Sequence, residues 1–164
     1  MYKKNFSILY KISNSTIETK KIGSELVNFI NNQKKYKNKK NIILLEGCIG
    51  SGKTILTKGI AKKLGIKKNI NSPTFLLLKS YKNSENQMHH LDLYKILQFE
   101  KSVIISTLEE ITEIVKLGDI LVIESTQNIS YLLPYWNFRI KIEILNIKKR
   151  KILIENNKIK NKNK

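Results

Sequence analysis

The chain has 164 residues, a formal net charge of +18 and 41% apolar residues, which fits a single domain with a buried core. No apolar run approaches the roughly 18 residues of a membrane-spanning helix, and the N-terminal apolar stretch is too short for a signal peptide. The only cysteine, Cys48, excludes an internal disulfide, so we expect a cytoplasmic protein.

The positive charge is the feature of the composition that suggests a nucleic-acid ligand. However, only Arg139 and Arg150 are arginines among 31 basic residues, and lysine, asparagine and isoleucine are all abundant. This pattern is typical of a preference for A+T-rich codons. The charge alone therefore does not decide between a nucleic-acid surface and ordinary solvated faces.

The first predicted elements are a strand and a helix. A short strand is predicted within Met1 to Ile12. The pattern Ser15-x-x-Glu18 is a capping box, and apolar residues with helical spacing follow it. These signals predict a helix from Thr16 to about Asn31. The lysine-rich segment Lys34 to Lys40 is a predicted linker to the next strand.

A glycine-rich loop, Gly47 to Thr54, follows the apolar run Ile42 to Leu45 and precedes a helical segment, Ile55 to Leu64. The loop matches G-x-x-x-x-G-K-[ST], and the strand–loop–helix order is the context that such a phosphate-binding loop requires. Lys53 is predicted to reach the β- and γ-phosphates of a nucleoside triphosphate, and the Thr54 hydroxyl to bind Mg²⁺. The residues of this segment predicted to bind the nucleotide are Gly47, Gly50, Ser51, Gly52, Lys53, Thr54 and Ile55.

A hairpin and a helix are predicted after the loop. The hairpin strands are Phe75 to about Tyr81 and Met88 to Tyr94. A second capping box at Thr107 predicts the start of a helix, which Gly118 is predicted to end.

Glu124 ends the unbroken apolar run Ile120 to Ile123, which is typical of a strand buried on both faces of a parallel sheet. A triphosphate site needs a carboxylate to complete its Mg²⁺ ligands, and such sheets bind ligands at the carboxyl ends of their strands. Glu124 is therefore a candidate metal ligand, although an ordinary polar strand end has the same pattern.

The remaining elements predict the fold class. Phe138 to Ile144 alternates apolar and polar residues as a half-buried strand, and a last strand is predicted around Lys151 to Ile154. We predict a single domain over residues 1–156 and a basic, disordered tail at 157–164. The predicted fold is a three-layer α/β P-loop NTPase-like fold. Its sheet is mixed but mainly parallel, with helices on its faces and antiparallel strands at one edge.

Three further polar residues are candidate site residues. Asp92 shares a strand face with His90 and Tyr94, an arrangement that fits either a site or an exposed strand face. Ser72 and Thr74 flank a proline, which restricts the backbone and fixes the directions of both hydroxyls. These hydroxyls either sense a γ-phosphate or simply begin a strand.

Four segments together resemble the TsaE (YjeE) family, the small ATPase of bacterial tRNA threonylcarbamoyladenosine synthesis. They are Gly47 to Thr54, Ser72-Pro73-Thr74 with Phe75, His90-Leu91-Asp92-Leu93-Tyr94-Lys95, and Ile120 to Glu124. The resemblance implies a Mg²⁺-dependent ATPase in which Asp92 and Lys53 are catalytic, Thr54 and Glu124 bind the metal, and Ser72 and Thr74 lie near the ATP. It also implies TsaD-like and TsaB-like partners, with tRNA contacted indirectly.

The chain departs from the family pattern at three positions. The family usually has Asp at the position of Cys48, Arg at the position of Lys95 and Trp at the position of Ser125.

Two other functions stay open on the residues alone. One is a small-molecule kinase on the same fold, and the other is a non-catalytic, nucleotide-dependent adaptor whose basic tail contacts tRNA.

Overall fold

A computed structural model describes residues 6–33, 36, 39–73, 77–83 and 87–157. The strands are β1 (Phe6–Ser13), β2 (Asn41–Glu46), β3 (Leu78–Lys82), β4 (Gln87–Asp92), β5 (Ile120–Ser125), β6 (Phe138–Ile144) and β7 (Arg150–Asn157). The α-helices are α1 (Thr16–Asn31), α2 (Lys53–Lys63) and α3 (Lys101–Ile114). None of the helices in the described ranges has the length and apolar character of a transmembrane span.

The seven strands form one sheet in the order β1-β7-β6-β2-β5-β4-β3. The four central strands, β6, β2, β5 and β4, pair in parallel. Antiparallel pairs lie at both edges, β3 with β4 on one side and β1, β7 and β6 on the other. The prediction of a mixed, mainly parallel sheet is confirmed, with the addition that antiparallel strands occupy two edges rather than one.

Helices cover both faces of this sheet and give the predicted three layers. On one face, α1 and α2 bury apolar side chains such as Leu26 and Ile60 against Ile43. On the other face, α3 buries Leu108 against Leu44 and its neighbours. The central strands β2 and β5 are buried on both faces because their sequences are continuously apolar.

The first two predicted helices are confirmed. Ser15 is the N-cap of α1, and its hydroxyl accepts the Glu18 N–H at 3.1 Å. The Glu18 carboxylate reaches back to the Asn14 N–H at 2.7 Å, one residue before the cap. Helix α2 begins at Lys53, two residues earlier than predicted, and Gly65 ends it with a positive φ of 75°.

The predicted start and end of the third helix are wrong. Helix α3 begins at Lys101, and Thr107 lies inside it, where its hydroxyl donates to the Val103 carbonyl at 2.8 Å. The buried face of the helix includes Ile104, so the apolar period starts about one turn before the predicted cap. The helix ends at Ile114, and Gly118 instead takes a positive φ of 92° in the turn before β5.

The two strands of the predicted hairpin pair as expected, with different bounds. Strand β4 ends at Asp92, two residues before the predicted end. Strand β3 begins at Leu78, and residues 74–76 lie outside the described ranges. At the C-terminus, β7 includes Asn157, the first residue of the predicted tail, and residues 158–164 are not described.

Two glycines allow α1 and α2 to approach closely. A Cβ at Gly59 would lie 2.0 Å from the Lys20 carbonyl oxygen, and one at Gly23 would lie 2.3 Å from the Leu56 carbonyl oxygen. At this crossing the Ser24 hydroxyl donates to the Gly59 carbonyl at 2.9 Å. The glycine-rich loop lies at the N-terminus of helix α2, so this contact sets the position of the loop on the sheet.

Gly59→Ala is therefore expected to destabilise the fold. Backbone overpacking costs about 1–3 kcal/mol, and the clash at 2.0 Å belongs at the upper end of that range. Alanine regains about 1 kcal/mol of helix propensity, so the expected net loss of unfolding free energy is about 1–2 kcal/mol. Urea denaturation would measure this loss of unfolding free energy.

The control is Lys62→Ala on the exposed face of the same helix. Its unfolding free energy is expected to stay within about 0.5 kcal/mol of wild type. Equal stability of the two variants would contradict this packing argument.

Candidate functional site

Three central, parallel strands bring the predicted site residues together at the carboxyl ends of the strands. Glu124 on β5 is the register partner of Asp92 on β4, and Ser125 is the partner of Glu46 on β2. The chain leaves β2 at Gly47, whose N–H donates to the Ser125 carbonyl at 3.1 Å. The carboxyl ends of β2, β4 and β5 therefore meet beside the glycine-rich loop, where ligands of such sheets bind.

The loop has a conformation that requires its glycines. Gly50 and Gly52 have φ values of 76° and 112°, in the left-handed region that L side chains rarely adopt. A Cβ at Gly47 would lie 2.6 Å from the Ile142 carbonyl oxygen. Gly52 is also the N-cap of α2, so the unpaired N–H groups and the positive dipole end of that helix face the loop.

The side chain of Lys53 folds back over the glycine-rich loop. Its Nζ donates to the carbonyl oxygens of Gly47 at 2.6 Å and Cys48 at 3.0 Å. Burial lowers the pKa of the Lys53 ammonium, and the nearby carboxylates of Glu124 and Asp92 oppose this shift. The ammonium is thus partly desolvated, which strengthens its attraction to an anion that replaces the two carbonyls.

Glu124 accepts hydrogen bonds from three side chains. Its exposure is 2%, and its Oε2 accepts the Thr54 hydroxyl at 2.9 Å. Its Oε1 accepts the Thr57 hydroxyl at 2.9 Å and faces His90 Nε2 at 2.7 Å. The Thr54 hydroxyl and the carboxylate are hard oxygen donors in direct contact, a donor set that suits Mg²⁺. The two residues predicted to bind the metal are therefore adjacent.

Asp92 is also held firmly. Its exposure is 8%, its Oδ2 accepts the Ser72 hydroxyl at 2.5 Å, and its Oδ1 accepts the Tyr94 N–H at 2.9 Å. The alternative that its strand face is simply exposed does not hold, because β4 is covered on both sides. Ser72 thus lies beside the carboxylate that the sequence singled out, whereas Thr74 lies outside the described residues.

A cavity of about 450 Å³ joins these groups. The predicted residues that line it are Gly50, Gly52, Lys53, Thr54, Ile55, Ser72, Asp92 and Glu124. Gly47 and Ser51 are not among its lining residues. The Gly47 carbonyl accepts a hydrogen bond from Lys53, and the buried Ser51 lines a second cavity of about 500 Å³, which shares Gly50, Gly52 and Ile55 with the first.

The sequence interpretation missed two contributors to this site. Thr57 lies one helical turn after Thr54, so helical spacing could have placed both hydroxyls on the face toward Glu124. Arg150 donates to the Ser51 carbonyl at 2.9 Å, and no local signal predicts a contact between residues 99 positions apart.

His89 and His90 contact different carboxylates, Asp119 and Glu124, because the side chains of adjacent strand residues point to opposite faces of the sheet.

Comparisons with known proteins give relatives for both the sequence and the fold. The chain is 43% identical over 56 residues to "tRNA threonylcarbamoyladenosine biosynthesis protein TsaE" of Bacillus subtilis, and this match spans 34% of the chain and 35% of that relative. It is 32% identical over 140 residues to the Rickettsia felis protein of the same description, covering 85% of this chain and 75% of that one. The crystal structure of Bacillus subtilis YdiB is similar in fold, with a TM-score of 0.69 at 24% identity, over 93% of this chain and 88% of YdiB.

The family assignment depends on a match that includes the whole site. The family model for threonylcarbamoyl adenosine biosynthesis protein TsaE matches residues 13–152, a range that contains the phosphate loop, Asp92 and Glu124. The matching range runs from the end of β1 into β7 and therefore covers the core of the sheet. The chain belongs to the TsaE family of tRNA threonylcarbamoyladenosine biosynthesis proteins.

Proposed function

We propose that the protein is a Mg²⁺-dependent ATPase that acts in the threonylcarbamoyladenosine modification of tRNA. The observation that carries the proposal is the contact at 2.9 Å between the Thr54 hydroxyl and the Glu124 carboxylate. It joins a phosphate-binding loop to a carboxylate at the end of the neighbouring strand, and this is how phosphate-transferring P-loop proteins divide their metal ligands.

The loop and Lys53 would bind the phosphates. The glycines bring the backbone close to the ligand, and the N-terminus of α2 adds N–H donors and a positive dipole end. Lys53 would exchange its bonds to the Gly47 and Cys48 carbonyls for phosphate oxygens. Each exchange replaces a neutral acceptor with a charged one, so the Coulombic attraction between the ammonium and the phosphate adds to the hydrogen bond.

Thr54 and Glu124 would hold Mg²⁺, which neutralises the charge that develops on the phosphate oxygens during transfer. The chain's own contribution is to fix the two donors before any ligand arrives. Thr57 and His90 orient the carboxylate through its Oε1, which leaves Oε2 directed at Thr54. Such outer partners of a metal ligand commonly affect affinity by about 10–100-fold.

Asp92 would orient or activate the attacking water. It lines the cavity together with Lys53 and Thr54, and Ser72 and the Tyr94 N–H hold both of its oxygens. A carboxylate fixed in this way can accept a proton from water without first reorganising. Ser72 is predicted to lie near the nucleotide and Asp92 to assist hydrolysis, and the short hydrogen bond between them connects these two roles.

The second cavity offers room for the nucleoside. It adjoins Gly50, Gly52 and Ile55, so it begins where the phosphate loop ends. Polar side chains at and just before the start of α1, among them Asn14 and Thr16, also line it. A nucleotide that extends from the phosphate loop into this cavity would have hydrogen-bonding groups for its ribose and base.

Hydrolysis by the isolated protein is expected to be slow. Arg139 pairs with Glu155, and Arg150 binds backbone carbonyls, so within the described ranges neither arginine lines the main cavity. An arginine supplied by a partner protein can raise the rates of such enzymes by about 10³–10⁵-fold. We propose that TsaD-like and TsaB-like proteins are the partners that stimulate turnover.

Phosphate release from ATP tests this function. It should be measured with and without Mg²⁺, and with and without the TsaD-like and TsaB-like proteins, for the wild type and for Glu124→Ala. We expect slow, Mg²⁺-dependent release that the partners accelerate and that the variant lacks. Release without any stimulation by the partners would contradict the role in tRNA modification. A phosphorylated small molecule instead of free phosphate would indicate a kinase.

A further inference from the structure

Arg150, the first residue of β7, binds the phosphate loop from the side of the second cavity. Its Nε donates to the Ser51 carbonyl at 2.9 Å, and its Nη2 lies 3.4 Å from the Gly50 carbonyl oxygen. Its Nη1 donates to the carbonyls of Asn146 at 2.8 Å and Lys149 at 3.1 Å, in the turn between β6 and β7. One guanidinium group therefore fastens the phosphate loop to this turn.

We propose that Arg150 is a positioning residue that holds the phosphate loop in its phosphate-binding conformation, an inference that rests on the proposed nucleotide binding. The peptide unit is planar and trans, so the Ser51 carbonyl and the Gly52 N–H point in opposite directions. The bond from Arg150 draws the carbonyl toward the second cavity. The Gly52 N–H therefore points away from Arg150, and Gly52 lines both the main cavity and the second one.

The charge of Arg150 adds to this effect. All of its hydrogen-bond acceptors are neutral carbonyl groups. Within the described part of the chain, no carboxylate forms an ion pair with Arg150. Its positive charge is therefore not neutralised locally, and it lies beside a loop whose proposed ligand is a polyanion. An unpaired cation at this place raises the local potential that attracts phosphate.

The geometry calls for arginine rather than lysine. Only two of the 31 basic residues are arginines, and each has more than one guanidinium nitrogen within contact distance of its partners. Arg139 contacts Glu155 through Nε at 2.9 Å and Nη2 at 3.1 Å, and Arg150 uses Nε, Nη1 and Nη2. A lysine ammonium has no planar fork and cannot reach the loop and the turn in the same way.

Nucleotide affinity of Arg150 variants tests the proposal. Binding of ADP and of inorganic pyrophosphate to the full chain should be measured by calorimetry for the wild type, Arg150→Lys and Arg150→Ala. We expect the Kd for both ligands to rise about tenfold in Arg150→Lys, the scale of one lost charge-assisted hydrogen bond, and further in Arg150→Ala. Millimolar guanidinium is expected to restore part of the affinity of Arg150→Ala, a rescue that a purely structural role would not produce.

The matched control is Arg139→Lys, which changes the other arginine at a place away from the loop. Its Kd for ADP is expected to equal that of the wild type. Wild-type affinity in both Arg150 variants, with or without a lower melting temperature, would overturn the positioning role. Failure of the wild type to bind ADP would instead overturn the proposed function. Arg150→Lys keeps the charge and most of the packing, so it provides the test even if Arg150→Ala does not fold.

Discussion

Glu124→Ala is expected to reduce Mg²⁺-dependent ATP turnover by at least about 100-fold. A metal bound at the proposed site would supply several kcal/mol of transition-state stabilisation, and each 1.36 kcal/mol is a factor of ten in rate. Removal of the carboxylate also leaves the Thr54 and Thr57 hydroxyls and His90 without their acceptor. The Thr54 hydroxyl would then be free to rotate away from the metal position. Steady-state phosphate release over a range of Mg²⁺ concentrations measures the loss.

A second variant separates metal binding from stability. A buried donor that loses its partner costs about 1–3 kcal/mol, so Glu124→Ala is also expected to melt at a lower temperature. Glu124→Gln keeps the shape and one acceptor oxygen but removes the charge. We expect Glu124→Gln to retain most of the stability and to need a much higher Mg²⁺ concentration for ATP binding. Wild-type Mg²⁺ dependence in Glu124→Gln would show that the metal does not bind beside this carboxylate.

Asp92→Asn is expected to lower ATP turnover by about 10²–10⁴-fold, the usual contribution of a general base. The amide has nearly the same shape and can still accept a hydrogen bond from Ser72 or from the Tyr94 N–H. It cannot take a proton from water. Nucleotide affinity is expected to change little, because the proposed phosphate contacts come from Lys53 and the loop amides. Single-turnover hydrolysis and ADP titration measure the two quantities separately.

The control for Asp92 is Ser72→Ala, which removes the hydrogen bond at 2.5 Å and keeps the carboxylate. We expect it to lose activity by a smaller factor than Asp92→Asn, because Tyr94 still holds the other oxygen. Turnover of Asp92→Asn within about threefold of the wild type would exclude a role in proton transfer. If ATP binding survived in that variant, the result would favour the non-catalytic adaptor.

The two carboxylates of the proposed site, Glu124 and Asp92, differ in how well the sequence predicted their surroundings. The place of Glu124 after a fully apolar strand already indicated a ligand at the carboxyl end of a parallel strand. The pattern around Asp92 left a site and an exposed face equally open, because alternation reports only which residues share a face. The pairing of β4 with β5 excluded the exposed face, because it places Asp92 beside Glu124 and buries it.

Local sequence patterns were also insufficient to predict every helix boundary. Ser15 was a correct cap signal because the apolar stripe of α1 begins directly after it. Thr107 has the same local pattern, yet it lies inside α3, where its hydroxyl binds the carbonyl one turn earlier. A threonine and a glutamate three residues apart occur both at helix starts and within helices. Packing of Ile104 against the second face of the sheet placed the true start six residues before Thr107.

The sequence by itself determined the glycine-rich loop, with Lys53 and Thr54 in place, because the whole motif lies within eight consecutive residues and its strand and helix directly flank it. Only the tertiary structure decided which residues from distant parts of the sequence contact this loop. Glu124 meets Thr54 across 70 positions of the chain, and Arg150 meets Ser51 across 99. Such contacts have no local pattern, since they arise from strand order and helix packing, which bring distant residues together only when the whole sheet has formed.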